Sequence, residues 1–104
     1  SDEERLTALM KVASIIGGKW RAAIIMAIHH HQHIRYNTLK KKLFGITNIV
    51  LTRALKDLEE QKIIARIDFD EVPPHVEYTL TERGVELIPV FMSLAFWGDR
   101  YLIK

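Results

Sequence analysis

The chain has 104 residues, which suits a single domain spanning 1–104 with a modest core. It has no cysteine, so disulfides, thiolate metal sites and thiol redox switching are excluded within it. The net charge is only +2, and the longest apolar stretch, Ala22 to Ile28, is seven residues where a membrane helix needs roughly 20. A cytoplasmic protein with no membrane partner is therefore the expectation.

Leu6, Leu9, Met10, Ala13 and Ile16 recur at helical spacing and predict a first helix of two to three turns, stopped by Gly17-Gly18. A second helix is expected from about Lys19, with Trp20, Ala23, Ile24, Ala27 and Ile28 inward. His29-His30-His31-Gln32-His33 reads as a polar junction and Ile34-Arg35-Tyr36 as a short β-prone stretch. Asn37 is placed as the cap of a third helix, in which Leu39 and Leu43 face the core and Lys40, Lys41 and Lys42 spread over the outside.

Thr47 is the expected N-cap of a fourth helix running to about Gln61. Val50, Leu51, Ala54, Leu55 and Leu58 form its apolar stripe. Asn48, Ile49, Thr52, Arg53 and Lys56 lie on the opposite face, about 200° around the axis. From Ile64 to Asp70 apolar and polar residues alternate, as in a half-exposed strand. Val76 to Leu80 reads as the return strand, after a proline-bearing tip at Glu71-Val72-Pro73-Pro74-His75. Thr81 is the expected cap of a last helix, with Leu87, Phe91, Leu94, Gly98, Tyr101 and Leu102 on one face and Pro89 kinking or restarting it.

This order is mainly α with a small β-hairpin wing. A short helix, a glycine-bearing turn and a two-faced helix form a helix-turn-helix unit, and the hairpin makes it winged. The segment Arg35–Arg66 holds eight basic residues against three acidic ones, a local +5 that suits a polyanion. Double-stranded DNA is the expected partner, because the major groove admits an α-helix whose side chains meet base edges. Arg53 could reach guanine acceptors, Asn48 could pair with adenine, and Thr52 could serve base or phosphate. The expected contact set is Asn37, Lys40, Lys41, Lys42, Thr47, Asn48, Ile49, Thr52, Arg53, Lys56, Arg66 and His75. The lysines in it supply affinity through phosphates without sequence information.

Four strings resemble the HxlR-type winged helix-turn-helix regulators, within the MarR-like superfamily. They are Gly17-Gly18-Lys19-Trp20, the Leu51-x3-Leu55-x2-Leu58-Glu59 helix, Glu71-Val72-Pro73-Pro74-x-Val76-Glu77-Tyr78-x-Leu80-Thr81-Glu82-x-Gly84, and Trp97-Gly98. The resemblance runs from about Leu6 to Leu102. It implies a bacterial or archaeal transcription factor with a recognition helix at Thr47 to Gln61 and a wing around Asp70 to His75. It also implies a homodimer joined by the first and last helices, on a pseudo-palindromic operator. Leu6, Leu9, Met10, Ala13, Phe91, Leu94, Trp97 and Tyr101 would then be interface residues. The chain departs from that pattern at four places. The thiol that many relatives carry near position 7 is replaced by Thr7, His75 replaces a wing arginine, Ile49 stands on the recognition face, and Lys62 replaces a glycine.

Other readings are weaker. His29, His30, His31 and His33 could chelate a metal, but with no cysteine or nearby carboxylate a surface tract is preferred, and no metal or cofactor is expected. If His75 met phosphate, its protonation would tighten DNA binding as the pH falls through about 6.5. The aromatics of the last helix could line an effector pocket, though dimer contact is the better use of them. No nucleophile–base–orienter set or phosphate loop points to an enzyme. Ile49 and His75 keep open a winged-helix protein-interaction module with weak or lost DNA binding.

Overall fold

The computed structural model describes residues 1–103. Helix α1 covers Asp2–Ile16, beginning one turn earlier than its apolar spacing suggests. Ser1 caps it by accepting the Glu4 amide, and Asp2, Glu3 and Glu4 sit in the first turn, where the helix dipole favours negative charge. No residue of α1 is buried within the protomer.

Helix α2 (Arg21–His31) is the centre of the core, with Ile24, Ile25 and Ile28 wholly buried. Two expectations are corrected here. Ala23 faces solvent and Ile25 takes the inward place. His29, His30 and His31 form the last helical turn rather than a junction. Gln32 ends α2 at φ 74°, its side-chain amide donating to the His29 carbonyl at 2.8 Å.

Ile34 exchanges two backbone hydrogen bonds with Tyr78 (3.0 and 2.8 Å), so the β-prone stretch contributes one residue to the edge of the wing sheet. The chain then turns at once into α3 (Tyr36–Lys42), with Arg35 in the capping position. Asn37 is therefore inside the first turn, not the cap. Leu39 and Leu43 are buried as expected. The turn to α4 (Asn48–Glu60) passes through Gly45 at φ +93°, a conformation glycine adopts without a Cβ penalty. Thr47 caps α4 by accepting the Val50 amide at 3.2 Å. Leu51, Ala54, Leu55 and Leu58 are buried. Val50 is 40% exposed and drops out of the expected apolar stripe, since it lies at the stripe's edge.

Strand β1 is Ile64–Asp68, two residues shorter than its alternation implies, and pairs antiparallel with β2 (Val76–Leu80) from Ile64↔Leu80 to Asp68↔Val76. Asp70 takes φ 54°, which turns the chain into the tip and ends the ladder. Thr81 caps a short α5 (Glu82–Val85), accepting the Gly84 amide at 3.1 Å while its hydroxyl donates to the Lys62 carbonyl. Gly84 sits so close to Ile63 that any Cβ would overlap the Ile63 carbonyl oxygen. The chain restarts as α6 (Ile88–Leu102), with Pro89 in the first turn, where no amide donor is required.

One core joins the pieces: α2 in the middle, Leu39 and Leu43 of α3, the buried face of α4, Ile63 and Ile64 at the start of the hairpin, and Phe91 of α6. Phe91 is 5% exposed, so it belongs to the protomer's own core and not to an intersubunit face. Among the described residues, no single helix is long and apolar enough to cross a membrane.

Candidate nucleic-acid interface

The buried stripe of α4 fixes what its other face presents. Asn48, Ile49, Thr52, Arg53 and Lys56 are all exposed. The helix begins at Asn48, so Asn48 and Ile49 stand at the end that a helix-turn-helix carries toward base edges. Two of the polar residues are held by one group that sequence reasoning misses. The Tyr36 hydroxyl lies 3.1 Å from Asn48 Oδ1, to which it donates, and 3.1 Å from Thr52 Oγ1, from which it can accept. The aromatic ring packs against the core while the hydroxyl reaches out to α4. The only signal in the sequence is spacing across the turn, where Tyr36 reads as strand-forming. Asn48 keeps its two amide protons and one carbonyl lone pair, which leaves a bidentate contact with adenine possible.

Arg53 is oriented by charge. Its Nε lies 3.6 Å from Asp57 Oδ1 one turn along, and the other carboxylate oxygen accepts from Arg21 Nη2 at 2.6 Å. The Arg21 hydrogen bond, with Arg53 and Lys56 nearby, holds the Asp57 carboxyl below its ordinary range. Asp57 thus stays ionised, ties α4 to α2, and leaves the far edge of the Arg53 guanidinium free.

Lys41 and Lys42 are exposed and Lys40 is half-buried. Asn37, Lys40, Lys41, Phe44, Gly45 and Ile46 line a shallow recess at the turn between α3 and α4. Phe44 is 96% exposed there, beside the lysines. Thr47 is committed to its cap but keeps its hydroxyl proton.

The wing has a different character from α4. Between Arg66 and Glu77 lie four acids, Asp68, Asp70, Glu71 and Glu77. Arg66 is exposed but within 3.8 Å of Asp68. His75 stacks on Phe69 with ring centroids 4.2 Å apart, and both its nitrogens are occupied: Nδ1 by Glu71 at 2.8 Å and Nε2 by Glu77 at 2.7 Å. Glu77 and then Glu71 push the His75 pKa up, while partial desolvation and Arg35 oppose them. The expectation that His75 meets phosphate does not fit this geometry, because a protonated ring spends both donors on carboxylates. The histidine tract is likewise spread over a helix end, and among the described residues no group of three or more metal-ligating side chains is placed to hold an ion.

The remaining expected residues lie on α1 and α6. Leu6, Leu9 and Met10 on α1 are exposed, as are Leu94, Trp97 and Tyr101 on α6, and Ala13 faces solvent too. Trp97 and Tyr101 contact each other, with ring centroids 5.4 Å apart.

A capped two-faced helix after a glycine turn, flanked by a hairpin, defines a winged helix-turn-helix protein. Residues 15–104 match the HxlR-like helix-turn-helix family, and the chain belongs to it. It is 36% identical over 100 residues to an HTH-type transcriptional regulator of Methanothermobacter thermautotrophicus, covering 96% of this chain and 76% of that one. Its fold is similar to a crystal structure described as a MarR-family regulator of Porphyromonas gingivalis W83, with 36% identity, TM-score 0.83 and coverage of 90% and 91%. It is also similar to the reduced form of the transcriptional regulator YodB from B. subtilis, at 29% identity, TM-score 0.79 and coverage of 91% and 92%.

Proposed function

We propose that this chain is a sequence-specific DNA-binding transcriptional regulator that acts as a homodimer on a pseudo-palindromic operator. The observation that carries the reading is the exposed face of α4. Asn48, Thr52 and Arg53 are each held in place by a neighbour, Tyr36 or Asp57, yet keep hydrogen-bonding capacity facing outward. Lys40, Lys41 and Lys42 flank it as phosphate contacts, with Asn37, Thr47, Lys56 and Arg66 as further contacts around the same surface. His75 shapes the wing rather than touching the backbone.

The dimer reading rests on the apolar surface left by α1 and α6. Leu6, Leu9, Met10, Leu94, Trp97 and Tyr101 are 58–66% exposed, and large apolar side chains left in water in this way favour a covering partner. Pairing two copies there would set the α4 helices on half-sites about one DNA turn, roughly 34 Å, apart. The thiol route to signalling is closed to a chain without cysteine, so a signal would come as a small-molecule effector, a partner or pH.

Selection of bound sites from random duplex DNA tests binding, sequence and half-site spacing together. The expected result is a two-fold related motif whose binding falls steeply with salt, and a species at twice the protomer mass by sedimentation. The acidic wing favours one other reading, a winged helix that docks proteins. Salt-insensitive or absent DNA binding would support that reading instead.

A further inference from the structure

Ile49 is the residue of the α4 face that polar recognition leaves unexplained. It is 83% exposed in the first turn of a helix on which Asn48, Val50, Thr52, Arg53 and Lys56 are also exposed nearby. A β-branched residue loses rotamer freedom in a helix, and here it recovers nothing by burial. It stands as a ridge between two shallow grooves. One is lined by Asn48, Thr52, Arg53 and Lys56, the other by the Gly17-Gly18-Lys19-Trp20 segment and Val50. Cations lie on both sides, Lys56 in one groove, Lys19 and Arg21 in the other and Arg53 lining both, so the partner that meets this ridge is anionic at its edges and apolar at its centre. The major groove of DNA has this chemistry wherever a thymine 5-methyl lies between two phosphate backbones.

The neighbouring polar groups sharpen the assignment. Tyr36 holds Asn48 and Thr52, and Asp57 steers Arg53, so none of the three needs to swing across the Ile49 position. A base edge opposite Ile49 would meet carbon alone. Adenine, guanine and cytosine present donors or acceptors that an isoleucine would strip of water without replacing, whereas the thymine methyl gains by that contact. Resting on the DNA-binding reading above, we infer that Ile49 is a specificity-determining residue that reads the 5-methyl group of one thymine in each half-site.

The test uses the full chain and the operator recovered by random-duplex selection. Each half-site should contain one invariant thymine. Replacing it with deoxyuridine removes only the methyl, and binding should weaken about fourfold per half-site, the value of one buried methyl group. The Ile49→Ala variant should bind thymine and deoxyuridine operators equally, and a selection repeated with it should lose preference at that position alone. Ile49→Val should retain part of the discrimination. Because the side chain is exposed, these variants should melt with the parent protein. If the protein binds no DNA in the first selection, the function proposed above falls and this inference with it. If it binds a defined operator but no thymine-to-deoxyuridine change matters, or Ile49→Ala keeps the discrimination, the inference alone is overturned.

Discussion

Replacing Tyr36 by Phe removes one hydroxyl and leaves the ring in the core. That hydroxyl joins Asn48 and Thr52 at 3.1 Å each. Both partners are exposed, so in the free protein water takes over its hydrogen bonds, and stability should change by no more than about 0.5 kcal/mol. Binding is different. Without Tyr36 both side chains must be ordered by DNA, at about 0.5–1.5 kcal/mol for each rotamer-rich side chain immobilised. Both are short, so the lower part of that range applies, and binding should weaken by about 1–2 kcal/mol, or roughly 5- to 30-fold. Since phosphate contacts are untouched, only specific binding should fall. Fluorescence anisotropy with the selected operator and with a scrambled duplex of equal length measures both. An unchanged ratio of the two affinities would refute the argument, as would a parallel loss accompanied by a large fall in melting temperature.

Three further outcomes follow from the same geometry. Lys62 closes the turn after α4 at φ 59°, a left-handed conformation costing a side-chain-bearing residue about 1–2 kcal/mol, so Lys62→Gly should stabilise by roughly 0.5–1 kcal/mol after its entropic penalty; Lys62→Ala should not, and denaturant titration at fixed protein concentration decides. His75 is held between Glu77 and Glu71 with its pKa raised, so its contribution to wing stability is complete below the unfolded value of about 6.5 and is lost as the pH rises through the higher folded value. NMR titration should place its midpoint above the unfolded value, and His75→Gln should abolish the pH dependence of the protection factor at Phe69, whose amide donates to the His75 carbonyl. Converting Lys41 and Lys42 to Gln should weaken operator and scrambled duplex alike and reduce the salt slope by about 1 for each phosphate no longer neutralised; an unchanged slope would remove those lysines from the interface.

What the sequence discloses follows the range of the interactions involved. Thr47 as a cap and Leu51, Ala54, Leu55 and Leu58 as a buried stripe depend on contacts within a turn or on 3.6-residue periodicity, and both are visible in a string. The hairpin strands are legible for the same reason, from alternation. The start of α3 is not, because a long-range event decides it: Ile34 is pinned to Tyr78, 44 positions on, which forces the helix to begin at Tyr36. Phe91 reads as outward because helical spacing gives a face but not its partner, and Phe91 lies in the protomer's core, where α6 packs on α2. The exposed face of α4 is legible as a set of side chains but not as an organised one. Tyr36 and Asp57, which position that set, come from another helix and from an acid that reads as a solvated charge.

The contrast between α4 and the wing bears on how affinity can arise. A wing usually adds phosphate contacts beside the recognition helix, but here Asp68, Asp70, Glu71 and Glu77 outweigh Arg66 over its length. At physiological salt, charges within about 8 Å of phosphate are not fully screened, so such a wing repels the backbone if it approaches closely. One protomer then depends on three lysines and one helix face, which suits weak binding. If two protomers join through α1 and α6 as proposed, the second half-site encounter becomes intramolecular, and the linked affinity can exceed either half alone by a factor of about 10²–10⁴ with no new contact. The exposed apolar helices would thus supply, by dimerisation, affinity that the poorly charged wing does not. A Leu94→Glu change that breaks the dimer should abolish operator binding at concentrations where the parent saturates, although Leu94 is on α6 and not on the DNA-facing helix. If a monomeric Leu94→Glu protein bound the operator as tightly as the parent, affinity would reside in the single protomer, and the wing's negative charge would have to face away from DNA.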